Sequence, residues 1–152
     1  MTTQLATQQT QSAQQTRERL SLGALAWVGP LTILTCIAAN IIIRTLAVAF
    51  FGVSATFAPL QPPTIIASTI VYLLLAIAAL LLVSRISARP ARTYRILAVI
   101  CLLISLLFPL AALTGAFPTP GMNGHIFGAM IAMHLLSAAI VIALLPTAIT
   151  RR

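Results

Sequence analysis

Four apolar blocks organise the chain, at about residues 22–47, 64–83, 96–113 and 125–145. Each supplies the ~20 residues that an α-helix needs to cross ~30 Å of hydrocarbon. The blocks are too long, and too free of alternating polarity, for the strands of a closed barrel. The pattern therefore predicts an all-α integral membrane protein, an antiparallel bundle of four transmembrane helices. The links at residues 51–63 and 115–124 carry no charge and several Pro or Gly, the residues of turns and tight loops. Each link sets a Phe beside a Pro-containing turn, a faint echo of a duplicated helical hairpin.

Residues 1–19 are rich in Thr and Gln, lack apolar periodicity and end in Arg17-Glu18-Arg19, so a disordered tail is expected there. Residues 20–152 then form one membrane domain. Val53-Ser54-Ala55 resembles a signal-peptide cleavage site. The apolar run before it, however, is far longer than the 7–15 residues of a signal-peptide core, and Arg44 interrupts its end. An uncleaved first helix is the expectation.

Composition agrees with lipid as the solvent. Hydrophobic residues make up 60% of the chain and charged ones 7%, against roughly 25% charged in a soluble domain. The net charge of +8 comes wholly from arginine, and Glu18 is the single acidic residue. A sequence pI near 11.7 raises nucleic acid as a partner. The arginines, however, fall in short groups between apolar runs without the interleaved aromatic residues of a base-stacking surface, which argues against it. Their placement reads as topology instead. Arg17 and Arg19 precede the first block, Arg85, Arg89, Arg92 and Arg95 fill the link between the second and third, and Arg151 and Arg152 follow the fourth. Only Arg44 lies toward the other side. The positive-inside rule then puts both termini in the cytoplasm. The central arginines are also candidates to attract anionic lipid headgroups. Arginine without lysine, with abundant alanine, suits a GC-rich bacterial genome, hence a bacterial cytoplasmic (inner) membrane.

Polar residues inside the blocks are where chemistry should be sought, because intramembrane polar groups are costly unless partnered. Thr32, Cys36, Asn40 and Arg44 follow one another at intervals of four and share a slowly drifting helix face, expected to point at other helices. Arg44 lies ~28 Å along the axis from Leu25, near the outer boundary. One reading has Arg44 snorkelling to outer headgroups while Asn40 bonds a neighbouring backbone. The other is an outward-opening anion or headgroup site between Asn40, Arg44, Ser68 and His125. His125 and His134 are nine residues apart, on opposite faces and ~13 Å apart along the helix, so they cannot share a metal or haem. Met122, Met130 and Met133 bring copper to mind, but no Cys or carboxylate stands at usable spacing, and no metal or cofactor is expected. His134 sits near mid-bilayer, at the depth of Tyr72 and Ser105, and a hydrogen bond to either would satisfy its ring. A proton relay would need carboxylates, and none lies in any block. Cys36 and Cys101 form no Cys-x-x-Cys motif and read as small buried side chains.

Packing signals are also present. Gly124, Gly128 and Ala132 form a small-xxx-small row, a surface for close helix approach and for self-association or entry into a larger membrane complex. Thr64, Ser68 and Tyr72 make a comparable row in the second block, and Cys101 with Ser105 in the third. Pro30 and Pro109 should bend their helices.

Asn40 with Arg44, the Phe57-Ala58-Pro59-Leu60 link, the arginine-rich centre, Ser105 ahead of Pro109, and Met133-His134-Leu135 together resemble the DUF6069 family of four-helix bacterial membrane proteins. The resemblance covers about residues 24–145. It implies the topology and draws attention to Arg44 and His134, but carries no activity with it. The leading expectation is a non-enzymatic interaction or accessory membrane subunit. A small transporter or ligand-binding protein with an outward-facing site near Arg44 and His134 is the alternative, and a quinone-reactive membrane enzyme centred on His134 and Tyr72 is a third.

Overall fold

The computed structural model describes residues 18–151. The expected tail over residues 1–19 therefore lies outside the described residues except for Glu18 and Arg19, and so do Arg17 and Arg152. Glu18–Leu20 is not loose chain: it forms a short strand, β1. Helix α1 follows at Leu22–Phe51, where the Ser21 side chain accepts a hydrogen bond from the amide of Ala24 at 3.3 Å. The helix runs four residues past the expected end, because nothing before Gly52 stops it. Gly52 takes a left-handed conformation (φ 63°) that a side chain would disfavour, and so closes the helix. Pro30 sits inside α1 without interrupting it.

After a 3-10 turn at Ala58–Leu60, helix α2 spans Pro62–Ile86. Proline's fixed φ suits a first helical turn, so α2 starts at Pro62, ahead of the expected residue 64. The same device starts α3 at Pro90–Ser105. Arg92 and Arg95, read from the sequence as link residues, thus belong to the helix, since charge on an exposed face does not stop one. The third block breaks at Leu106 into α3 and α4 (Leu107–Leu113). Pro109 explains the break: it has no amide to give the Ser105 carbonyl, and its ring crowds that oxygen. Helix α5 spans Gly124–Leu144, capped by the Asn123 side chain on the amide of Ile126 at 3.0 Å. A 3-10 turn at Leu145–Ala148 leads into strand β2, Ile149–Arg151.

The four long segments run up and down, each packed on its sequence neighbours, with α1 against α5 closing the ring. All four are long and apolar enough to cross a membrane. Strands β1 and β2 pair antiparallel with Leu20 opposite Ile149. The first and last described elements thereby meet at the end of the bundle that carries the link between α2 and α3. Glu18 belongs to this junction, its carboxylate accepting from the amide of Ala91 at 3.3 Å. Arg19, Arg85, Arg89, Arg92 and Arg95 lie at this arginine-rich end, while Arg44 lies at the other.

Two apolar clusters fill the interior. One, around Cys36, Leu80, Tyr94 and Leu145, lies toward the arginine-rich end. The second, around Ala47, Phe57, Ile126 and Met130, lies toward the Arg44 end. Outside, leucines face away from the bundle on every long segment, with Leu34 66% exposed, Leu74 54%, Leu103 60% and Leu135 48%.

Several of the rows read from the sequence lie outside the bundle's own contacts. Gly124, Gly128 and Ala132 face outward, and a Cβ added at either glycine would meet nothing within 4 Å. Helix α5 instead buries Ile126, Ala129, Met130, Met133 and Val141. Likewise α2 buries Ile65, Thr69 and Leu73, the row next to the expected Thr64, Ser68 and Tyr72. Cys36 is buried as expected, but Cys101 is exposed.

Candidate functional site

The intervals of four along α1 do gather polar groups on one inward face. Thr32, Cys36 and Asn40 are all buried. Thr32 bonds the carbonyl of Val28 within its own helix at 2.7 Å. Asn40 does more. Its Nδ2 donates to Thr69 Oγ1 on α2 at 3.2 Å, and its Oδ1 accepts from Ser137 Oγ on α5 at 3.2 Å. One amide thus ties three helices together between the two apolar clusters. The expected bond from Asn40 to a neighbouring backbone is replaced by these two side-chain bonds. The Cys36 thiol adds a weak contact to the Ser137 carbonyl at 3.9 Å.

One turn beyond Asn40, Arg44 does not extend freely toward headgroups. Its Nε donates to the Leu60 carbonyl at 2.7 Å, and one terminal nitrogen donates to the Ala55 carbonyl at 3.4 Å. A guanidinium has five N–H groups in a rigid fork. Here two of them hold the connection between α1 and α2. The Gln61 amide reinforces that connection, donating to the Thr56 carbonyl at 3.4 Å.

The segment Arg44 holds forms one wall of a groove of about 570 Å³ at this end of the bundle, lined by Ser54, Thr56, Phe57, Ala58 and Pro59. The facing wall is Phe108 of α4 with Phe117, Pro118, Thr119, Pro120 and Gly121 of the α4–α5 connection. Phe108 and Phe117 are in ring contact, centroids 5.3 Å apart at 54°. Gly121 has φ 83°, and its α-carbon faces Phe57 closely enough that a Cβ would lie 3.8 Å from that ring. The two connections therefore abut there, and no charged side chain lines the space between them.

The other candidates do not converge on this groove or on each other. Ser68 and Tyr72 are exposed on α2, Tyr72 to 71%. Ser68 bonds its own helix at the Thr64 carbonyl, 2.7 Å away. Ser105 bonds the Leu102 carbonyl at 2.7 Å, also within its helix. His125 is exposed. His134 is half-buried, and its Nδ1 donates to the Met130 carbonyl at 2.7 Å, which replaces the expected bond to Tyr72 or Ser105. The outward-opening cavity between Asn40, Arg44, Ser68 and His125 is thus not what these residues build. Among the described residues no three His, Cys, Asp or Glu side chains are grouped to hold a metal ion.

Thr69, Ser137 and the groove as a site were not picked out from the sequence. For the groove a signal did exist: the Phe–Pro pairing in both links, Phe57 with Pro59 and Phe117 with Pro118, marks its two walls. The Phe57-Ala58-Pro59-Leu60 stretch and Arg44 are also residues on which the family resemblance rests. The match extends over residues 20–151, through every helix and strand β2, and reaches only the last residue of β1. The chain belongs to the DUF6069 family, a family of unknown function. No curated protein and no solved structure matches it.

Proposed function

We propose that this DUF6069 member is a multi-pass protein of the bacterial cytoplasmic membrane, with both termini cytoplasmic, and that it acts by binding an apolar ligand at its external end. The four apolar segments, the outward leucines and the gathering of arginines at one end support the membrane reading. The groove between the two external connections carries the functional reading. Its Phe and Pro walls offer a hydrocarbon chain dispersion contacts, and Ser54, Thr56 and Thr119 are the polar residues that line it. The groove is continuous with an exposed apolar strip on α4, where Leu107, Phe108 and Leu110 are 60%, 48% and 47% exposed. Such a strip meets acyl chains in a bilayer, so the favoured occupant is a lipid-like chain, not a charged solute. Arg44 acts as a positioning residue by fixing one wall. Catalysis is not part of the proposal.

Photolabelling tests it directly. Membranes carrying a diazirine-bearing palmitate analogue should, on irradiation, give labelled peptides enriched at Phe57, Phe117 and Thr119, and Arg44→Ala should reduce that enrichment severalfold. Label spread evenly over exposed Leu74, Leu103 and Leu135, with no enrichment at the groove, would sink the ligand reading. Fluorescent-protein and alkaline-phosphatase fusions test the orientation. A C-terminal fusion should fluoresce, and a phosphatase inserted after Ala116 should be active.

A second reading, an accessory subunit of a larger membrane assembly, is favoured by one observation. The row Gly124, Gly128 and Ala132 is uncovered on α5, where another helix backbone can approach closely. Crosslinking in native membranes that captures only unmodified monomer would count against it.

A further inference from the structure

We infer that the exposed face of α3 binds anionic phospholipid of the cytoplasmic leaflet, with the phosphate on Arg92 and Arg95 and the chains along the same helix. The inference rests on the membrane reading above but is independent of the groove. Arg92 and Arg95 are three residues apart on one exposed face, with Arg89 one turn before them and Arg85 in the last turn of α2, also exposed. None of these four guanidiniums makes a hydrogen bond or ion pair to another described residue. The one acidic side chain of the sequence, Glu18, accepts from the amide of Ala91.

The surface beneath the arginines identifies the partner. Below Arg95 the exposed face continues without a polar break through Ile96, Val99, Ile100 and Leu103, which are 53%, 45%, 48% and 60% exposed. From Arg95 to Leu103 the helix rises ~12 Å, close to the depth of one leaflet's hydrocarbon. Positive charge above a strip of that length repeats the order of a phospholipid, headgroup over chains. A soluble anion or a nucleic acid would use the charge and leave the strip unoccupied. Arginine suits the task because its planar fork meets phosphate oxygens two at a time.

The test uses the full chain in nanodiscs of mixed phosphatidylcholine and phosphatidylglycerol, with retained lipids counted by native mass spectrometry. The wild type should retain phosphatidylglycerol over phosphatidylcholine, and the preference should weaken as salt rises. Each basic residue at a membrane surface contributes about fivefold, so Arg92→Gln/Arg95→Gln should lower the preference by roughly tenfold or more. Arg92→Lys/Arg95→Lys should keep most of it. The Gln pair leaves Arg85, Arg89 and Arg19 to hold the orientation, checked with the C-terminal fluorescent fusion. Equal retention of the two lipids by wild type, a salt-independent preference, or a preference unchanged in the Gln pair would each overturn the inference. A duplex oligonucleotide that binds the solubilised protein through these arginines, with no lipid preference, would assign them to nucleic acid instead. Alkaline carbonate extraction separates the two levels. Protein that stays in the membrane pellet but is indifferent to phosphatidylglycerol defeats this inference alone, whereas release into the supernatant defeats the membrane reading as well.

Discussion

Asn40 concentrates at one residue what the bundle needs at its middle. Its amide donates to Thr69 and accepts from Ser137, so α1, α2 and α5 are pinned at one level. Interhelical hydrogen bonds of this type are worth about 0.6 kcal/mol on average and up to about 1.7 in membrane proteins, because the alternatives also find partners. Asn40→Ala breaks two of them and should destabilise the bundle by about 1 kcal/mol in unfolding measured in bicelles. A double-mutant cycle with Thr69→Ala should give a coupling of about 0.5 kcal/mol. A cycle that sums to zero would mean the 3.2 Å contact contributes nothing. The two cysteines give a sharper contrast. Cys36 is 0% exposed inside the cluster toward the arginine-rich end, whereas Cys101 is exposed. Cys36→Leu must force neighbours apart and should cost about 1–3 kcal/mol. Cys101→Leu adds volume where there is room and should stay within about 0.5 kcal/mol. Equal effects in the same assay would contradict the assigned faces.

At the scale of elements, glycines report which helix surfaces are in contact. Gly29 on α1 is buried, and a Cβ there would lie 3.3 Å from Ile77 Cδ1 on α2. Gly29→Leu should therefore wedge α1 from α2 and cost about 1–3 kcal/mol. Gly128→Leu meets open space, and should leave the melting of the monomer unchanged or raised, since leucine favours helix over glycine. Loss of stability at Gly128 in a monomeric preparation would show that α5 is oriented differently. These two glycines also mark how far the sequence is legible. The existence of four long helices is set by block length and hydropathy, and those features survive any rotation of a helix about its axis. Which face turns inward is not set by them, because each segment is apolar on all sides and the stripe that marks the buried side of a soluble helix is absent. Thr69 and Ser68 are adjacent on α2 and alike in character, yet Thr69 is buried, bonded to Asn40 of α1, and Ser68 is exposed. The α1 face was readable only because Asn40 and Arg44 are strongly polar and spaced by four. The break at Leu106 was half readable. Pro109 announced a bend, and the bend falls a turn earlier because the carbonyl it deprives belongs to Ser105.

On the scale of the whole molecule, strands β1 and β2 close the structure at the arginine-rich end, a feature invisible in segments of three residues. A two-stranded ladder that short is marginal alone. Here Leu20 and Ile149 pack on the adjacent apolar cluster, and the ladder is extended by the amide of Ser21 bonding the Ala148 carbonyl at 2.9 Å. Ser21 then caps α1, so the ladder ends where the first helix starts. Glu18 supplies the third tie, from β1 to the start of α3. Its carboxylate meets a helix N-terminus whose own cap residue, Arg89, makes no side-chain capping bond. A negative charge there is worth about 0.3–1 kcal/mol. Glu18→Ala should therefore loosen the junction without loosening the bundle. Exchange at the Ser21 amide should speed up by as much as about fivefold, the rate equivalent of about 1 kcal/mol, while amides at Asn40 and Leu73 stay as slow as before. Glu18→Gln keeps an acceptor oxygen but drops the charge, and should fall between wild type and Glu18→Ala. Should Ser21 and Leu73 accelerate together, the ends belong to the bundle's global unfolding, and the three ties do not act as a separate closure.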